Sequence, residues 1–109
     1  MNNPPCLLSR RGRRSRTRPV VILTRQTARA SMTKVTVAPI TSTIRGLSSE
    51  VLVGAVNGLD HPSAISLDNV LTIQPRLLGR NIGFLTEEQE HELAHAVVLA
   101  YDLELPLLR

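Results

Sequence analysis

Two histidines and a glutamate near the C-terminus have the spacing of a zinc site. His91-Glu92-Leu93-Ala94-His95 is an H-E-x-x-H stretch. On a helix it puts two imidazoles one turn apart and a carboxylate beside a metal-bound water, the machinery of a metalloprotease. A catalytic zinc of this kind needs a third protein ligand and keeps its fourth position for water. No histidine follows His95, and the later acidic side chains are Asp102 and Glu104. Asp102 falls on roughly the same helical face, but ~10 Å further along the axis, out of range for Zn–O bonds of ~2.0–2.2 Å. An acidic, histidine-bearing outer face of an amphipathic helix accounts for the stretch, so no metal ligand and no cofactor are assigned. His61, in a loop, could serve a histidine ribonuclease if it met His91 or His95.

Arginine offers a different chemistry. Residues 1–49 hold ten Lys/Arg and no Asp/Glu, whereas residues 50–109 hold three basic and nine acidic residues. Twelve of the thirteen cations are arginine, whose planar fork suits phosphate. A basic half on so small a chain points to nucleic acid or another polyanion. With one Phe, one Tyr and no Trp, the chain lacks an aromatic stacking platform. Any bound RNA is therefore held mainly by charge and hydrogen bonds. The single cysteine, Cys6, excludes an internal disulfide and suits a reducing cytoplasm. No apolar run approaches the ~20 residues of a membrane helix. Nor does an apolar segment of secretory length follow the N-terminal arginines, so a cytoplasmic protein without membrane contact is expected.

The elements that must position these groups follow from periodicity. Residues 1–17 (MNNPPCLLSRRGRRSRT) show neither helical nor strand period and are expected to be a disordered basic arm. PVVIL, at 19–23, is a β-branched run with the character of a strand buried on both faces. KVTVAPI alternates as a half-buried strand does. EVLVGAV, SAISL, NVLTIQ and NIGFL complete five or six short strands, separated by Asn57-Gly58, Pro62 and the Pro75–Gly79 stretch. Close spacing of this sort favours a small barrel or sandwich. Thr86-Glu87-Glu88-Gln89 is a capping box that starts a C-terminal helix, with Leu93, Val97, Ala100 and Tyr101 on its apolar stripe. Pro106 stops it.

Taken in order, Arg18-Pro19-Val20-Val21-Ile22-Leu23, Val37-Ala38-Pro39-Ile40-Thr41-Ser42-Thr43-Ile44-Arg45-Gly46-Leu47, Ser63-Ala64-Ile65-Ser66-Leu67-Asp68-Asn69-Val70 and Gly79-Arg80-Asn81-Ile82-Gly83 resemble the MazF/PemK (Kid-like) toxins of bacterial toxin–antitoxin pairs. The resemblance covers about residues 17–103, so residues 18–109 are assigned to a MazF/PemK-like toxin domain. It implies a mainly β fold with a C-terminal helix, a small SH3-like β-barrel, and a homodimer. The implied activity is metal-independent endoribonuclease action on single-stranded RNA at short sequences. The implied partner is a cognate acidic antitoxin that folds onto the RNA groove. The family's catalytic arginine and threonine fall on Arg18 and Thr41. Ser42, Thr43 and Arg45, in the loop that follows, are candidate RNA contacts.

That family begins with a strand of the type R-G-E-[IV]-W-x-V-x-[LF] and a flexible loop before its "RPV" stretch. Here Arg11-Gly12 echoes the start and Arg13-Arg14-Ser15-Arg16-Thr17 follows at once, so the barrel is expected to be incomplete at its first strand. An unpaired sheet edge would then be exposed. A second function stays open: on that ground a catalytically degenerate member, or, on the same scaffold, one directed at gyrase as in the related CcdB proteins, which acts by binding antitoxin or another protein.

Overall fold

Runs of valine and isoleucine broken by glycine, proline and polar turns dictate short strands, because branched side chains pack well on a pleated surface. A computed structural model describes residues 6–11, 17–24 and 34–101. Among these residues seven strands and one α-helix follow in order: β1 (Cys6–Arg11), β2 (Thr17–Ile22), β3 (Val35–Thr41), β4 (Glu50–Val53), β5 (Ser63–Ser66), β6 (Leu71–Ile73), β7 (Leu78–Phe84) and α1 (Glu87–Ala100). The pairings are antiparallel, in the order β4-β5-β3-β2-β1-β7, with β6 beside β3 as a branch. The sheet is open, ending at β4 and β7. β3 is its hub. Its first residues pair with β6 (Val35↔Ile73) and its last with β5 (Ile40↔Ile65).

Both faces of the central strands are covered. One apolar cluster joins Leu7, Val21, Ala38, Ile40, Val51, Ile65 and Leu67 to Leu93 and Ala96 of α1. The other joins Val20, Ile22, Val35, Val37 and Ile73 on the opposite side. Val20, Val21 and Ile22 are all buried, as a continuous β-branched run requires. The helix starts as its capping box dictates: Thr86 Oγ1 accepts from the Gln89 amide at 3.1 Å and Gln89 Oε1 accepts from the Thr86 amide at 2.9 Å. It packs chiefly on β4.

Two expectations need correction. Residues 1–17 read as a disordered arm, yet Cys6–Arg11 form β1, paired with β2 (Leu7↔Val21) and with β7 (Leu7↔Gly83). The first strand is therefore present, and the edge expected to be bare on β2 is occupied. Leu7 is 0% exposed within one cluster while Leu8 packs against the other. Neighbouring apolar residues on opposite faces leave no alternation to detect. Tyr101, placed on the apolar stripe of the helix, is 50% exposed, and Ala96 is buried in its stead. The rest of the arm (1–5 and 12–16), the polar connection at 25–33, and Asp102, Glu104 and Pro106 lie outside the described residues.

Candidate functional site

β2 comes to the surface at its first residues. Its buried run begins at Val20, Pro19 is half-buried, and Thr17 and Arg18 are exposed. β3 leaves the core at the same end, where Ile40 gives way to Thr41-Ser42-Thr43. Val20 pairs with Pro39. Two residues further out on each strand lie Arg18 and Thr41, which antiparallel register brings to the same end of the sheet. Both line one cleft of about 640 Å³, together with Ser42, Asp60, His61 and Arg80. That volume is typical of small-ligand pockets, ~300–1,000 Å³, and suits a nucleotide or two of single-stranded nucleic acid.

Each wall has its own cause. Thr41 Oγ1 accepts a hydrogen bond from the Thr43 amide at 3.1 Å, so its own proton is free to donate into the cleft. Arg80 comes from β7, which lies two strands from β2, across β1. The third wall is the connection between β4 and β5. There Asn57, 1% exposed, donates to Phe84 O at 2.9 Å and to Gln89 Oε1 at 2.6 Å. Its Oδ1 accepts from the Gly54 amide at 3.0 Å and from Gln89 Nε2 at 3.1 Å. Gln89 Nε2 also donates to Leu52 O at 3.1 Å. Every donor and acceptor of both amides is matched, as burial demands. Gly58 then turns the chain at φ 88°, a left-handed conformation that favours glycine. A Cβ there would strike the carbonyl of Ile82.

Among the residues singled out from sequence, Arg18, Thr41 and Ser42 share the cleft. Thr43 contributes its amide to Thr41, and neither its side chain nor Arg45 is on the cleft walls. Arg45 lies in the exposed loop before β4. That loop is tied down by Glu50, whose carboxylate accepts from the amides of Arg45, Gly46 and Leu47 at 2.9–3.3 Å. Asp60 and Arg80 are charged wall residues that sequence reading left unassigned, and His61, weighed there only as a partner for His91 or His95, lies beside them. Arg80 sat inside the Gly79-Arg80-Asn81 motif, and Asp60-His61 directly followed the Asn57-Gly58 turn, but only folding sets either beside Arg18. His91 and His95 are exposed on α1, while Leu93 between them is buried. Among the described residues, no three His, Cys, Asp or Glu side chains come together as a metal-binding group. None of the described helices is long and apolar enough to cross a membrane.

The described residues form an open antiparallel sheet with one capped α-helix, and a cleft at the shared end of β2 and β3 holds Arg18 and Arg80. Residues 6–101 match the family model of the PemK-like, MazF-like toxins of type II toxin–antitoxin systems, and the chain belongs to that family. It is 56% identical over 87 residues to endoribonuclease MazF3 of Mycobacterium tuberculosis, covering 80% of this chain and 84% of the relative. It is 35% identical over 86 residues to the probable endoribonuclease MazF5 of the same organism, covering 78% and 79%. Among solved structures, the M. tuberculosis toxin MazF-mt6 superposes with a TM-score of 0.82 at 48% identity, covering 94% of this chain and 100% of that one. The fold also matches, at 20% identity and a TM-score of 0.81, a mycobacterial endoribonuclease solved in complex with its cognate antitoxin, covering 95% and 99%.

Proposed function

We propose that this chain is an endoribonuclease toxin that cuts single-stranded RNA at short sequences in a bacterial cytoplasm, without a metal ion. The observation that carries the proposal is the shared cleft: Arg18 and Thr41, from different strands, line one opening with Arg80 as a second cation. Relatives named as endoribonucleases support it.

RNA carries its own nucleophile. The 2′-oxygen attacks the adjacent phosphorus, the bond from phosphorus to the 5′-oxygen breaks, and a cyclic phosphate and a 5′-hydroxyl result. The 2′-proton must leave, and the departing oxygen must gain one. Catalysis consists of aligning the attack and stabilising charge on the phosphoryl oxygens. Arg18 supplies a forked, permanently charged donor for those oxygens. Thr41, with its proton unclaimed, donates a further hydrogen bond to the same phosphate. A guanidinium pKa above ~12 makes arginine a poor proton acceptor, so Arg18 acts mainly by electrostatic stabilisation. An acidic antitoxin segment laid in the same cleft would meet Arg18 and Arg80 as the RNA phosphates would, and so would inhibit by occupancy.

The catalytically degenerate alternative drew on the absence of the first strand, and β1 is present; the gyrase-directed alternative, on the same scaffold, predicts no RNA cleavage. The deciding experiment is digestion of a long RNA in EDTA with end mapping. Cuts at a recurring short sequence, ending in cyclic phosphate and lost in Arg18→Ala and Thr41→Ala, are expected. Activity that survives both substitutions, or none from the unsubstituted chain, overturns the proposal.

A further inference from the structure

A cleft that holds RNA phosphates ought to exclude carboxylates, yet Asp60 is on its wall. It is the one acidic residue among the cleft-lining residues, which also include Arg18, Arg80 and His61. Against a phosphodiester a carboxylate is repulsive. Against the edge of a base it is a paired acceptor: an exocyclic amine, as in cytosine, adenine and guanine, offers it N–H donors. Uracil has no amine, and its imino N–H lies between two carbonyl oxygens that repel a carboxylate.

The turn bearing Asp60 is held too firmly for an incidental surface loop. Upstream, Asn57 is buried in its reciprocal amide pair with Gln89. The backbone of β7 presses against the turn: a Cβ on Gly58 would meet Ile82 O, and one on Gly83 would meet Asn57 O. Downstream, Ser63 Oγ donates to the carbonyl of His61 at 3.1 Å. Asp60 and His61 are thus fixed at both ends on a scaffold whose supporting amides are fully bonded. Rigid support is what discrimination between similar ligands requires.

We infer that Asp60 is a specificity-determining residue, accepting hydrogen bonds from the exocyclic amine of a base next to the scissile phosphate. The inference rests on the endoribonuclease reading above. It assigns the cleft two halves: Arg18, Thr41 and Arg80 for the backbone, and the Asp60-His61 turn for a base.

The test is cleavage of a randomised RNA library by the full chain and by Asp60→Asn and Asp60→Ala, with base frequencies tallied at each position around the cut. Oligonucleotides bearing each of the four bases at the responsive position follow. The unsubstituted chain should prefer an amine-bearing base at one flanking position. Both variants should still cut, with that preference over uracil reduced about tenfold or more, the scale of one hydrogen bond to a charged group. Because Asp60 is exposed, thermal melting should not shift, which separates a reading role from a structural one. Unchanged base frequencies in both variants overturn the inference and leave the ribonuclease reading intact. Uniform slowing at all sites, or a unsubstituted chain that favours uracil at every flanking position, overturns it as well. No cutting by the unsubstituted chain overturns both.

Discussion

If Arg18 and Thr41 hold the scissile phosphate as proposed, one supplies a charge and the other a neutral donor, and their substitution should show the difference. Removing a preorganised donor to a developing oxyanion costs roughly 10²–10³ in kcat, so Arg18→Ala should fall by at least that in single-turnover RNA cleavage. Arg18→Lys retains the charge but loses the fork, and should recover only part of the rate. Thr41→Val keeps the shape and deletes the hydroxyl. It also frees the Thr43 amide, which Oγ1 now accepts at 3.1 Å, so a rate loss of about tenfold or more is expected. Thr41→Ser restores both the proton donor and the amide acceptor and should cut at close to the original rate. A Thr41→Val protein as active as the original in that assay would remove Thr41 from the site.

At the level of elements, β1 and the start of α1 are where the site is stabilised from a distance. Leu7 is fully buried between β2 and β7. Leu7→Ala should cost about 2–5 kcal/mol, the usual range for a buried leucine truncation. Urea unfolding should show a lower midpoint with an unchanged slope. A cost near zero would return residues 6–11 to the status of an arm. Asn57 and Gln89 form a second support. Either one replaced by alanine strands the other's amide, with an expected loss of about 2 kcal/mol. The double substitution should cost less than the two singles combined, because the shared bonds are lost only once. RNA cleavage by Gln89→Ala at a temperature where it stays folded should weaken as the Asp60-His61 wall loosens.

The whole molecule is electrically lopsided, ten cations without an anion before residue 50 and a surplus of acids after it. Folding brings Arg18 from the first half together with Arg80 from the second in one cleft, so the cleft does not follow the division along the chain. For single-stranded nucleic acid, log affinity falls with log salt by about 0.7 per neutralised phosphate. If Arg80 holds a phosphate, Arg80→Ala should reduce that slope by about 0.7 in equilibrium binding to an uncleavable RNA analogue. A slope that does not change would place Arg80 outside the phosphate track. The acidic face of α1, with Glu87, Glu88 and Glu90 in its first turn, complements the helix dipole and needs no RNA role.

Much of this protein was legible along the chain, for local reasons. The PVVIL and KVTVAPI strands, the Asn57-Gly58 turn and the Thr86 cap depend on branched side chains, on glycine's freedom and on bonds spanning three residues. Such causes act over a few positions and leave a pattern there. Arg18 and Thr41 were found through a family resemblance spanning most of the chain, since an arginine before a strand or a threonine after one is individually unremarkable in chemistry. What escaped was non-local. β1 carries no alternation because Leu7 and Leu8 enter different clusters, and its identity depends on β2 and β7 being present to cover both faces. The cleft walls of Asp60, His61 and Arg80 depend on β7 crossing beside β1 and on Asn57 meeting Gln89 across 32 residues. Those contacts exist only once the sheet is assembled, so the tertiary structure alone decided which side chains share the cleft with Arg18 and Thr41.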